Sequence, residues 1–434
     1  MNFNEFEVLR TAINEGTRGF YHSSTIIKYS DNSINIPIDI RDFFLLAMVS
    51  GNNLLLKGGT GTGKTSFSNG ALNSIFGDKS AFLQVDTSLD ITKFLDIDFN
   101  KIKSGETLKS SVKETVYITA PAVLIDEYNR APAQLNNILQ GWLTNGTVIS
   151  SGGATFNVGV PISDGKRYQF KVATINDGSR YSGTFNIDAA NRDRFPLELD
   201  LDMYKPTEDD RRKLLMRGGF GAITESKQTD LFEELKRLYK KANEIPINDS
   251  AIRFGIYLGR LDNCYKSHNG SKTSIDNFSP ELCEGCKAIK EDLNICGNVH
   301  SPSDRTTLNL FNFAKAFAAY RGYITHKEDV QVELKDLVAI APFVLSADLI
   351  GLDSNWIEKY GNKSSKYASE LALKLLIGRY LKSNATIDAF DLKGPATIED
   401  KRVNELALEN PWSVDREQIV KLNVSIKEKT KVKL

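Results

Sequence analysis

The chain has 434 residues, 41% hydrophobic and 25% charged, which is ordinary globular composition with room for about two or three cored domains. Lysine plus arginine equals aspartate plus glutamate at 55 each, so whole-chain charge points to neither a nucleic-acid nor a membrane partner. No apolar run nears the roughly 18 residues of a membrane helix, and MNFNEFEVLRTAINEG lacks a signal peptide's pattern, so a cytoplasmic location is expected.

Residues 1–45 form a mixed lead-in. Phe3 to Ile13 has the spacing of an amphipathic helix. Asp39 to Ser50 predicts a second helix, with Phe43, Leu45, Ala47 and Met48 on its apolar face. Leu54 to Leu56 reads as a short buried strand. It empties into Gly58-Gly59-Thr60-Gly61-Thr62-Gly63-Lys64-Thr65-Ser66. That is the G-x-x-x-x-G-K-[ST] pattern of a phosphate-binding loop, followed by a helix-compatible run to Ile75. Glycines let backbone N–H groups curl round an anion, and the next helix aims its positive end at the same place. Lys64 supplies a point charge for the outer phosphates, and the Thr65 hydroxyl can hold Mg²⁺.

Ala81 to Val85 is the second expected strand. Asp86 to Thr119 is polar, with modest alternation at Thr115 to Ile118, and reads as an insertion rather than core. Pro121 to Ile125 is the third strand, and it delivers Asp126 and Glu127. Side chains alternate along a strand, so the two acids point to different places. Asp126 suits Mg²⁺ or its waters beside Thr65; Glu127 suits the γ-phosphate side, orienting the attacking water. Gln134 to Leu143 predicts a helix, and 146–169 a hairpin. Phe170 to Ile175 is the fourth strand, ending at Asn176, whose amide can help Glu127 hold the water. Pro196 to Leu201 is the fifth, preceded by Arg192 and Arg194. After Tyr204 helical periodicity takes over: Glu208 to Met216, Thr229 to Ala242, Ser250 to Arg260, Arg305 to Arg321, Leu334 to Leu349 and 365–382. The tail ends in the lysine-rich VSIKEKTKVKL.

Together these residues resemble the AAA+ ATPases, and within them the MoxR-like and dynein-related (AAA_5) branch. The resemblance lies in GGTGTGKTS, VLIDEYNRAPAQLNNILQGWLTNGTV, VATIND, DRF and SPSDRTTLNLFNFAKAFAAYRGY, between about residues 40 and 350. It implies an α/β module with a five-stranded parallel sheet in the order 5-1-4-3-2, followed by a helical lid. The expected divisions are a lead-in at 1–45, a nucleotide-binding domain at 46–203, a lid at 204–355 and an extension at 356–434. It also implies ATP and Mg²⁺ as ligands and a homo-oligomeric ring, usually hexameric, with ATP between subunits. Residue by residue, Lys64, Thr65, Asp126 and Glu127 match the two nucleotide motifs and Asn176 the first sensor. Arg194 matches the arginine finger, with Arg192 its rival, and Arg305 the second sensor, with Arg253 its rival. Pro302-Ser303-Asp304 shifts Arg305 by two positions from the family pattern. Residues 86–119 and 147–170 fall where the branch carries substrate-facing inserts.

All four cysteines, Cys264, Cys283, Cys286 and Cys296, lie in one stretch, 262–300, with His268 and His300 nearby. A Cys-x-x-Cys knuckle with two outlying thiols suits a structural tetrahedral Zn²⁺, and Lys266, Lys287 and Lys290 could offset its charge. An iron–sulfur cluster, disulfides or free thiols remain open. The expected function is an ATP-driven machine that remodels or activates a protein client. The alternatives are a nucleic-acid-translocating motor subunit related to restriction-type ATPases and GTPases, disfavoured by the zero net charge and partly restored by the cysteine stretch and lysine-rich tail, which can touch phosphates, and a nucleotide-gated assembly scaffold.

Overall fold

The computed structural model describes residues 2–380, apart from 32–33, 90–92, 108–109, 133–135, 145, 151–152, 164, 177–186, 188, 217–229, 260, 262–298, 347–348, 361–366 and 378–379. The chain divides into two compact units. One holds Asn2–Ser24 and Asp39–Asn243; the other holds Thr25–Ile38 and the residues from Glu244 on. Residues 204–243, expected in the lid, therefore group with the sheet-bearing unit.

That unit is built on five parallel strands: β1 (Leu54–Lys57), β2 (Ser80–Gln84), β3 (Ala122–Asp126), β4 (Phe170–Ile175) and β5 (Leu197–Asp200). They lie in the order β5-β1-β4-β3-β2. The three central strands are buried along their whole length, while β2 and β5 alternate, as edge strands do. A parallel sheet covered on both faces needs near-continuous apolar runs, and LLL and AVLI supply them. On one face Leu55, Val123, Ile125, Ala173 and Ile175 join a core with Phe94 and Trp142, whose rings meet edge-on at 4.9 Å. On the other, Phe44 of the helix Ile40–Ser50 packs edge-on against Phe170 and against Phe67 of the loop helix Lys64–Phe76.

Local chemistry sets the helix ends. Asp39 caps Ile40–Ser50 by accepting from the N–H groups of Arg41 and Asp42, a contact worth about 1 kcal/mol. Gly51 ends that helix at a positive φ of 70°. The helix Glu5–Gly16 crosses the loop helix where glycines meet: a Cβ on Gly16 would lie 2.6 Å from the Gly70 carbonyl oxygen. Phe232–Asn243 completes the unit, with Tyr239 edge-on to Tyr168.

Two expectations change here. The modest alternation at Thr115 to Ile118 falls on a single helical turn, Val116–Thr119. The polar stretch 86–119 does carry a small hairpin, Leu95–Ile97 with Val112–Glu114, but Leu89, Phe94 and Ile118 anchor it in the core. Residues 147–168 form two short hairpins instead of one.

The second unit combines an antiparallel hairpin, Ile27–Asp31 with Ile34–Ile38, and helices Asp249–Leu258, Asp304–Thr325, Leu334–Val344 and Ser354–Tyr360. The hairpin is absent from the expectations, although IIKYSDNSINIPI alternates around a polar turn. Tyr29 of the hairpin packs edge-on against Phe317. Buried Arg321 is tied to Asp336 through two bonds of 3.0 Å, which compensates both charges. Leu334–Val344 stops short of the predicted Leu349, and Pro342 lies in its last turn.

Candidate active site

The phosphate loop joins the C-terminal end of β1 to the loop helix. Gly58, Gly61 and Gly63 have φ values of 145°, 81° and 81°, a backbone that L side chains resist. Lys64 is folded back into this loop and buried. Its Nζ donates to the Gly58 and Gly59 carbonyls at 2.7 and 2.8 Å, to Thr62 Oγ1 at 3.3 Å and to Asn176 Oδ1 at 3.1 Å. Gly59 N–H donates to Asp202 Oδ2 at 2.9 Å, which steadies the start of the loop from beyond β5. Thr60 and Ser66 are exposed. Phe20 lies against Gly63 and Phe67, and Arg41 holds the carbonyls of Thr17, Phe20 and His22. Burial pushes the neighbouring His22 imidazole below its ordinary pKa. At the end of β5, burial first of all raises the Asp200 carboxyl above the usual range.

The parallel register sets the acids beside this loop. Asp126 ends β3, next to β4 and on the same sheet face as the loop helix. Thr65 Oγ1 donates to Asp126 Oδ1 at 2.7 Å. Two hard oxygen donors at that spacing fit Mg²⁺, which takes one or two carboxylates together with substrate phosphates instead of a full protein cage. Among the described residues no group of three or more His, Cys, Asp or Glu could form such a cage.

Glu127 follows in a left-handed conformation, φ 56° and ψ 42°, costing a non-glycine residue about 1–2 kcal/mol. The turn aims its carboxylate away from Asp126 and into a ring of donors. Asn176 Nδ2 donates to Oε1 at 3.4 Å, Gln84 Nε2 donates to Oε2 at 3.3 Å, and Arg130 Nε lies 3.2 Å from Oε2. Asn129 Nδ2 donates to the Asn176 carbonyl at 3.1 Å. Thr174 Oγ1, buried inside β4, donates to Asp126 Oδ1 at 2.5 Å and accepts from Glu127 N–H at 3.1 Å.

Lys64, Thr65, Asp126, Glu127 and Asn176 are thus brought together. Gln84, Arg130, Thr174 and Asp202 were missed by sequence reasoning. Strand order would have found Gln84 and Thr174, because Gln84 pairs with Asp126 in register and Thr174 sits one step past the Ala173–Ile125 pair; Arg130 reaches Glu127 round the turn that follows β3.

Of the expected arginines, Arg194 and Arg192 belong to the same unit as this cluster. Arg194 is 18% exposed, pairs with Asp193 at 3.4 Å, and its carbonyl accepts from Asn53. Arg192 lies 3.7 Å from Glu198, which also holds Lys57 at 2.6 Å. Arg305 and Arg253 belong to the other unit, Arg305 exposed in the first turn of Asp304–Thr325 and Arg253 buried in Asp249–Leu258. Cys264, Cys283, Cys286 and Cys296 lie outside the described residues, as does His268. His300 is described, and its N–H donates to the Ile350 carbonyl.

The fold is similar to the crystal structure of a proposed ATPase from Cytophaga hutchinsonii, with a TM-score of 0.55 at 17% identity over 84% of this chain and 95% of that one. The likeness is one of fold, an α/β unit on a five-stranded parallel sheet. It also aligns with a full-length MCM homolog from Methanopyrus kandleri over 80% of this chain and 60% of that one, at 13% identity and a TM-score of 0.44, too low to carry an argument. No family model matches the sequence, and no curated protein does. No helix among the described residues is long and apolar enough to cross a membrane.

Proposed function

We propose that this chain hydrolyses ATP with Mg²⁺ at the phosphate loop, and does so as a MoxR-like ring subunit that remodels or activates a protein client. The observation that supports it most is the joining of both nucleotide motifs in one unit: Thr65 meets Asp126 at 2.7 Å, and one Asn176 amide bridges Lys64 and Glu127. That is the arrangement phosphoryl transfer to water requires, since the protein's task there is positioning and charge stabilisation.

The roles follow from the contacts. Loop N–H groups and Lys64 bind the phosphates, with Lys64 exchanging its loop carbonyls for phosphate oxygens. Thr65 and Asp126 would hold Mg²⁺, which would supply charge neutralisation to the phosphates. Glu127 orients the water and takes its proton, while Asn176 keeps that carboxylate fixed relative to Lys64. We assign Arg194, with Arg192 as the alternative, to a neighbouring subunit's nucleotide, and Arg305 to the second sensor. The clustering of every cysteine in 262–300 supports a structural zinc there, which metal analysis of protein purified without chelator would read as about one per chain.

Phosphate release from ATP, measured for wild type and Lys64→Ala, tests the nucleotide reading. Wild type should turn over ATP, and the variant should lose both ATP binding and phosphate release. Full activity in Lys64→Ala would place the chemistry elsewhere.

A further inference from the structure

The sheet carries one buried hydroxyl for which its apolar core has no use. Thr174 stands in the fully buried central strand β4, 2% exposed, on the face toward the loop helix. A valine would fill that volume without a polar group to satisfy. Instead, its Oγ1 donates to Asp126 Oδ1 and accepts from Glu127 N–H, so one atom bonds both acids.

The two bonds do different things. Asp126 Oδ1 receives hydroxyls from Thr65 and Thr174 together, at 2.7 and 2.5 Å. The Thr174 bond therefore fixes how the carboxylate is rotated toward the Thr65 side, where the cation would bind. The second bond satisfies the N–H of Glu127, the residue whose left-handed backbone turns its carboxylate toward Asn176, Gln84 and Arg130. Hydrogen-bonded partners of metal ligands set ligand orientation and are typically worth 10–100-fold in metal affinity or activity.

We propose that Thr174 is a positioning residue that sets both acids at once: Asp126 for Mg²⁺ and Glu127 for the attacking water. The inference rests on the nucleotide reading above and deepens it. Thr174 touches no reacting atom; it acts through the two residues it bonds.

The test compares Thr174→Ser, which keeps the hydroxyl, with Thr174→Val and Thr174→Ala, which lack it. The first readout is binding of a fluorescent ATP analogue with and without Mg²⁺; the second is kcat against Mg²⁺ concentration. Without Mg²⁺ all four proteins should bind the analogue within about threefold of one another. In Val and Ala variants the Mg²⁺-dependent gain in affinity should shrink, half-saturation by Mg²⁺ should move up, and kcat should fall about 10–100-fold. Thr174→Ser should stay within about threefold of wild type throughout. Comparing two hydroxyl-free variants keeps the test open if one of them fails to fold. A Val or Ala variant with wild-type Mg²⁺ response and kcat would overturn the proposal. So would a Ser variant as impaired as the other two, because packing rather than the hydroxyl would then matter. If wild type binds nucleotide but does not hydrolyse it, the nucleotide reading fails on turnover, while the Mg²⁺-dependent binding still reports on Thr174.

Discussion

Lys64 and Asn176 meet at 3.1 Å, ammonium to amide oxygen, while the NH₂ end of the same amide donates to Glu127. A single side chain at the end of β4 therefore couples Lys64, the proposed phosphate-binding cation, to Glu127, the carboxylate proposed to orient water. An amide suits that place because it offers an acceptor and a donor in one rigid plane.

Asn176→Ala should therefore slow hydrolysis more than it weakens binding. The loss of one preorganised polar contact at such a site costs on the order of 10²-fold in kcat, whereas the loop and Lys64 still hold the phosphates. Single-turnover hydrolysis beside equilibrium ATP titration reads the split. Equal losses in affinity and rate would mean that Asn176 serves binding alone.

The loop itself was legible because its chemistry restricts residue types locally: Gly58, Gly61 and Gly63 need positive φ, and Lys64 and Thr65 follow at fixed spacing. Asp126 and Glu127 were legible from an apolar strand ending in two acids. Thr174, Gln84 and Arg130 were not, since their roles arise from neighbours across strands and round a turn. Phe94 was hidden for a related reason. It sits in a polar stretch, and packing on partners distant in sequence, Trp142 among them, makes it core. The hairpin 27–38 is short and lies in a segment whose partners, such as Phe317, are far along the chain.

Lys171 gives a prediction about stability. It lies buried in β4 with its Nζ 5.3 Å from the Trp142 ring, and desolvation brings its pKa down from the usual 10.5 to about 7. Between those values the unfolded chain holds more protons than the folded one, so wild-type stability should rise with pH across that window. The slope contributed by this group is about 1.4 kcal/mol per pH unit. Lys171→Met lacks it, so its stability gain over wild type should be largest near pH 7 and should shrink toward pH 10. Urea unfolding of both proteins at pH 7 and 9 checks this; a gain independent of pH would mean the amine is not held in a desolvated site.

The ring proposal has its own test. Arg194→Ala should bind ATP yet hydrolyse it poorly, since fingers supplied by a neighbour are worth on the order of 10³–10⁵ in rate in GTPases. Mixed with Lys64→Ala subunits, it should regain activity wherever an intact loop meets an intact arginine. Unchanged hydrolysis in Arg194→Ala, in a protein that stays monomeric with nucleotide, would remove the shared site from the account.

Glu127 is proposed to activate water for attack on ATP bound at the loop. The most direct measurement is single-turnover phosphate formation by wild type and Glu127→Gln, with ATP affinity measured on the same samples. Glu127→Gln should bind ATP with Mg²⁺ as wild type does and form phosphate at least about 100-fold more slowly, because only the water-orienting carboxylate is lost. Phosphate formed at the wild-type rate by Glu127→Gln would contradict the claim.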